Sequence, residues 1–102
     1  MPKLRLASSE LGSLRVRAAL QIWSHTYAKA FDQLPSKVQL IVQRKVDEMG
    51  TRLGSFPHHR LTGRSEFGLR VGDYRVLYEL DVEGGRVFLH YVGHRKEIYK
   101  RA

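Results

Sequence analysis

Residues 92–99 read VGHRKEIY and place an imidazole, a guanidinium, an ammonium and a phenol within six positions, at His94, Arg95, Lys96 and Tyr99. Such a set can hold an anion with fixed positive charge and can move a proton, because histidine titrates near neutrality and tyrosine both donates and accepts. Two further arginines, Arg70 and Arg75, flank a Gly72-Asp73 turn signal, and Arg64 lies just upstream. Alternation along YRVLYELD, residues 74–81, turns Arg75 away from Tyr74 and Val76. Arg70, Arg75 and Arg95 therefore come from three strand segments that can meet on one region of a sheet. Gathered guanidiniums repel one another unless an anion or carboxylates lie among them. Asp73, Glu79 and Glu97 are the available carboxylates, and with them the same arginines would form surface salt bridges. His58 and His59, beside Arg60, lack a third ligand at a suitable spacing and read as an exposed loop, so neither a metal nor a cofactor is expected.

These residues need a scaffold, and its elements are legible. AALQIWSH, residues 18–25, has the apolar residues and the boundary of a first strand. Tyr27, Ala30, Phe31 and Leu34 recur at helical spacing up to Pro35, predicting a short amphipathic helix. Pro35 and Ser36 then open a second helix whose apolar stripe is Val38, Ile41, Val42, Val46 and Met49, with Gly50 as its stop. Its remaining face carries Lys37, Arg44, Lys45, Asp47 and Glu48, the pattern of a solvated surface. Residues 51–65 are a loop by their Gly, Pro and Ser content. EFGLRV, YRVLYELD and RVFLHYVG, separated by GD and VEGG turn signals, predict three consecutive strands. The expected fold is α+β, with an N-terminal strand and a two-helix hairpin packed on an antiparallel sheet completed by a C-terminal three-strand meander. Trp23 is expected in the packing.

The chain has 102 residues, enough for one core and one domain. It contains no cysteine, which excludes disulfides and thiolate metal sites and suits a reducing cytosol. Apolar runs do not exceed three residues, far below the roughly 18 needed to span a bilayer. A soluble, cytoplasmic protein is therefore expected. Eighteen Lys and Arg against ten Asp and Glu give a net charge of +8, the footprint of a protein that meets phosphate or an acidic partner. The basic residues are spread evenly, nine in residues 1–57 and nine in 58–102, so only the fold decides whether they converge. Residues 1–17 have no clean period and a single acid, Glu10. They read as a flexible appendage ahead of a domain at 18–102.

LTGRSEFGLRVGDYRVLYELD, residues 61–81, with VFLHYVGHRKEIY, residues 87–99, resembles the RelE branch of the RelE/ParE toxin superfamily. LRVGDYRVLY and VGHRKEIY carry the likeness most specifically, and FDQLPSKVQ at the helix join supports it. The resemblance covers about residues 19–101. It implies the toxin of a type II toxin–antitoxin pair and a ribosome-dependent endoribonuclease, an mRNA interferase that needs no metal. In that chemistry the 2'-hydroxyl attacks the adjacent phosphate, leaving a cyclic phosphate and a 5'-hydroxyl. By the same resemblance Arg75 and Arg95 would hold the phosphate, Tyr99 would orient the nucleotide by stacking or proton relay, and Arg64, Arg70, Lys96 and Lys100 would bind RNA. His94 stands where the best-studied member has lysine, and reads either as an acid or base or as a structural residue closing the strand. The sequence departs from the family pattern at Glu66 and Gly68, where basic residues would be expected. The implied partners are an acidic, RelB-like antitoxin, the ribosome with its mRNA, and operator DNA bound by higher toxin–antitoxin oligomers. The competing implication is a ParE-like toxin that binds and poisons DNA gyrase without nuclease chemistry.

Overall fold

The computed structural model describes residues 3–6 and 18–101, with side chains placed for 18–98. The elements run β1 (Lys3–Leu6), β2 (Leu20–Trp23), α1 (His25–Asp32), α2 (Ser36–Thr51), β3 (Phe67–Val71), β4 (Tyr74–Asp81), β5 (Arg86–His94) and α3 (Arg95–Arg101). They form a five-stranded sheet in the order β1-β2-β5-β4-β3, and the class is α+β.

The three C-terminal strands form the expected antiparallel meander. The sheet as a whole is mixed, however, because β2 joins β5 in parallel, with Leu20 opposite Arg86 and Trp23 opposite Leu89. Parallel neighbours need a long crossover, and the helix hairpin with the meander behind it supplies one. A second difference lies at the N-terminus. Residues 3–6, within the stretch expected as an appendage, form a strand that pairs antiparallel with residues 20–23. The outer edge of β2 offers unpaired backbone groups, and backbone pairing needs no side-chain period. Residues 7–17 lie outside the described part of the chain.

Ser24 starts α1, its hydroxyl accepting from the Tyr27 amide and closing the first turn. That cap aims Tyr27 and Phe31 at Trp23, with ring centroids 4.9 Å from the tryptophan in each case. Gln39 Nε2 donates to Phe31 O at 2.8 Å and ties the hairpin together. Along α2 the buried face is Val42, Val46 and Met49, whereas Ile41 is 54% exposed and stands with Leu40 on the outer surface. Gly50 lies inside the helix, which ends one residue later. These α2 residues cover the sheet face formed by Trp23, Leu69, Val76, Tyr78, Val87 and Leu89. Gln21 also faces α2, where Asp47 Oδ1 accepts from both Gln21 Nε2 and Gln43 Nε2 at 2.8 Å. A buried carboxylate needs such donors.

The loop after α2 is anchored rather than free. His58 is half-buried, with Nδ1 2.5 Å from Tyr78 Oη and Nε2 2.7 Å from Leu53 O. A carbonyl can only accept, so Nε2 carries the proton and Nδ1 accepts from the phenol. Burial in turn pushes the Tyr78 hydroxyl well above the ordinary tyrosine range. His59 is exposed. Downstream, the Leu61 amide donates to Glu66 O and the Gly68 amide to His59 O. The loop thus lies along β3 and covers part of the meander's outer edge.

Candidate functional site

The β3–β4 connection is a two-residue turn with Gly72 at φ +59°, a conformation that favours glycine because a Cβ there is strained. Its register pairs Arg70 directly with Arg75, and β4 in turn pairs Arg75 with Gly93. Like charges opposite each other destabilise a ladder. The fold nevertheless adds two more cations at the same corner, because α3 begins at Arg95 as β5 ends. The Arg95 amide donates to Asp73 O at 2.8 Å, which holds the start of α3 against the turn. Ile98, fully buried, pins the helix in place.

Arg70, Arg75, Arg95 and Lys96 together line an open cavity of about 390 Å³. Their partners are few. Arg75 Nη1 donates to Gly72 O and Tyr74 O, each at 2.8 Å, which orients the guanidinium without neutralising it. Asp73 Oδ1 lies 3.7 Å from Arg95 Nε, and both side chains are more than half exposed. Among the described residues no carboxylate pairs with Arg70, Arg75 or the Lys96 ammonium. Glu79, one of the expected partners, binds His90 Nε2 at 2.7 Å instead, and Glu97 lines a separate cavity beside α1. Four cations gathered around one exposed carboxylate leave an excess of positive charge that suits an anion.

The other candidate residues divide. His94 does not line this cavity. Its cross-strand partner is Tyr74, on the opposite side of the ladder from the Arg75 and Gly93 pair, and the two rings meet edge to face at 5.5 Å. The Lys96 amide donates to His94 Nδ1 at 3.1 Å, so the neutral ring carries its proton on Nε2. Arg64 stands apart as well, with Nε and Nη2 both donating to Glu66 Oε1 at 2.9 and 2.5 Å. The side chains of Tyr99 and Lys100 lie outside the described residues. At Gly68 a Cβ would lie 3.0 Å from Leu61 Cδ2, so the Leu61 side chain packs closely over this position.

Sequence reasoning passed over Tyr91 and His90. The β4–β5 ladder shifts register between Leu77 and Tyr78, opposite His90. The extra residue leaves His90 facing Glu79, while Tyr91 pairs with Leu77. Gly93 is the one clue to this in the sequence, since a Cβ there would lie 2.9 Å from Tyr91 Cε2. A bulge is a contest between two ladders and has no local signature. Among the described residues no three His, Asp or Glu side chains group closely enough to hold a metal ion, and no helix is long and apolar enough to cross a membrane.

Comparison with known proteins places this architecture. No curated protein sequence matches the chain. Solved structures of toxins and toxin–antitoxin complexes resemble it. The toxin–antitoxin complex RelBE from Mycobacterium tuberculosis matches with a TM-score of 0.65 and 23% identity, covering 79% of this chain and 94% of that one. The isolated RelE toxin of E. coli gives 0.65 at 20% identity, over 82% and 98%. The intact E. coli RelBE complex gives 0.60 at 24% identity, over 76% and 96%. The fold is therefore that of the RelE toxins. The family model for the ParE toxin of the type II toxin–antitoxin system parDE matches residues 18–99, and the chain accordingly belongs to the RelE/ParE superfamily of type II toxins.

Proposed function

We propose that this toxin is a metal-independent endoribonuclease that cleaves mRNA on the ribosome. The reading rests on one observation above all, the convergence of Arg70, Arg75, Arg95 and Lys96 on a single cavity with only a loosely held carboxylate at its edge. In the reaction O2' attacks the neighbouring phosphorus, the P–O5' bond breaks, the O2' proton is lost and O5' gains one. The phosphorane gathers negative charge, and cations already oriented toward it stabilise it more than they stabilise the diester. Arg75, steered by two backbone carbonyls, and Arg95, held by the backbone of Asp73, are the preorganised members. Proton transfer is assigned to groups beyond the cavity lining. Tyr99, one helical turn after Arg95 on α3, is the residue proposed for it, with Lys100 and Arg70 on the RNA backbone. His94, turned to the other side of the ladder, is assigned a positioning role at the β5–α3 junction.

The RelBE neighbours are toxin–antitoxin complexes, and a basic chain of +8 suits an acidic antitoxin that folds as it binds. Operator binding by that complex belongs to the same proposal, as does a cytoplasmic site of action. The family match to ParE favours a second reading, a gyrase poison. Purified toxin incubated with mRNA-programmed ribosomes and, separately, with DNA gyrase and plasmid decides between them. Cleaved mRNA with unimpaired supercoiling supports the nuclease; intact mRNA with inhibited supercoiling replaces it.

A further inference from the structure

Beside the arginine cavity, a second hollow of about 430 Å³ is lined by Ser24, Thr26, Arg64, Glu66, Leu77, His90 and Tyr91. Leu77 is 3% exposed and supplies an apolar floor. The Tyr91 ring lies over Gly93, where the missing Cβ leaves it room. Gly93 pairs with Arg75, so the tyrosine stands two residues along β5 from the arginine cavity, about 7 Å at the usual strand rise. One nucleotide can span that distance with its phosphate among the arginines and its base in the hollow.

The wall of the hollow carries the chemistry. Both Arg64 hydrogen bonds land on Glu66 Oε1, and among the described residues nothing bonds Oε2. The pair is partly shielded, with side chains 32% and 19% exposed. Arginine thus orients the carboxylate, and Oε2 retains both of its acceptor sites. Guanine alone presents two adjacent donors on its pairing edge, N1–H and the N2 amino group. Adenine and cytosine set one amino group beside an acceptor that a carboxylate repels, and uracil sets its single N–H between two acceptors.

We infer that this hollow is a nucleobase subsite that selects guanine through Glu66, with Arg64 as the residue that positions the carboxylate. The inference rests on the proposal that RNA is the substrate. It gives a role to the two residues that depart from the family's basic pattern: Glu66 reads the base, and Gly68 admits Leu61, which closes the loop carrying Arg64.

The test uses the full chain and 2'-O-methyl pentanucleotides, which cannot be cleaved, with one internal base set to G, A, C or U. Fluorescence anisotropy should show tighter binding of the G oligonucleotide by roughly five- to a hundredfold, the range of a good two-bond base contact. Glu66→Gln should reduce that preference to near unity, by weakening the G oligonucleotide and by relieving the repulsion of the acceptors on the other three bases. Arg64→Lys, which keeps the charge but cannot hold Oε1 with two parallel N–H groups, should weaken it in part. Arg75→Ala should lower binding to all four alike. Equal affinities for the four RNAs, no measurable binding, or a G preference that survives Glu66→Gln overturns the inference. Cleavage on programmed ribosomes is scored in parallel: cutting without base preference refutes the subsite and leaves the nuclease standing, whereas a G preference in binding without cutting does the reverse.

Discussion

Replacing Arg75 by alanine should separate chemistry from folding. The side chain is half-buried, and its described hydrogen bonds go to Gly72 O and Tyr74 O at the β3–β4 turn. Water can take over at these carbonyls, so each of the two bonds counts at the low end of the usual range, about 0.5 kcal/mol, and their joint loss costs about 1 kcal/mol in stability. Relief of the cross-strand repulsion with Arg70 returns about 0.2–1 kcal/mol. The net change lies within about 1 kcal/mol, a shift of less than about 8 °C in Tm for a domain of this size. Against that, removing one preorganised donor from a transition state costs about 3–4 kcal/mol, on the order of a hundred- to a thousandfold in rate. The assay is the single-turnover rate of cleavage on mRNA-programmed ribosomes, with circular-dichroism melting of the same preparation. Arg75→Lys should recover part of the rate, since it restores charge without the oriented fork. Wild-type cleavage by Arg75→Ala would refute the role of the cavity. A Tm loss of more than about 15 °C would show that the residue acts through the fold.

Gly72→Ala should cost about 1–2 kcal/mol, because its positive φ is strained for an L side chain, and should lower cleavage by disturbing the register of Arg70 and Arg75; thermal melting and the same cleavage assay check it. Tyr78→Phe leaves His58 Nδ1 without its donor in a half-buried site, and urea unfolding should show a loss of about 1–3 kcal/mol. Asp81 is held below the usual carboxylate range by its hydrogen bond from Arg86 and by the Gly84 amide. A depressed folded pKa means stability present above the unfolded value near 3.8 and lost as pH falls through the folded one, so melting of wild type should drop below about pH 4 by more than melting of Asp81→Asn. A chain starting at Ala18 loses β1 and its pairing with residues 20–23, while the buried residues described begin at Ala19. Its Tm should fall by only a few degrees, and a drop beyond about 10 °C would place core contacts within residues 1–17.

The helix hairpin and the meander were legible because their signals are local. Tyr27, Phe31, Val42, Val46 and Met49 recur at helical spacing and point to one face, and Tyr74, Val76 and Tyr78 alternate at strand spacing. Ile41 belonged to the same apolar stripe by sequence and is exposed, since a period defines an arc but not how far the neighbouring layer reaches around it. The parallel docking of β2 on β5 and the pairing of residues 3–6 with β2 were not legible. Strand partners are chosen across long stretches of chain by edges that remain open after the local elements have formed.

At the candidate site the division is the same. Sequence by itself determined which cations are present, that Arg70 and Arg75 bracket a tight turn, and that Arg95 follows the last strand. It also carried the resemblance to the RelE/ParE superfamily. Tertiary structure alone decided that Arg70, Arg75, Arg95 and Lys96 share a cavity with only Asp73, 3.7 Å from Arg95, as an acidic neighbour among the described residues, that His94 lies across the ladder from them, and that Arg64 is occupied by Glu66. The physical reason is register. A side chain's type is carried by its own residue, but its face and its neighbours depend on the pairing of the whole strand, and the single shift between Leu77 and Tyr78 reassigns His90 and Tyr91 without changing any local pattern.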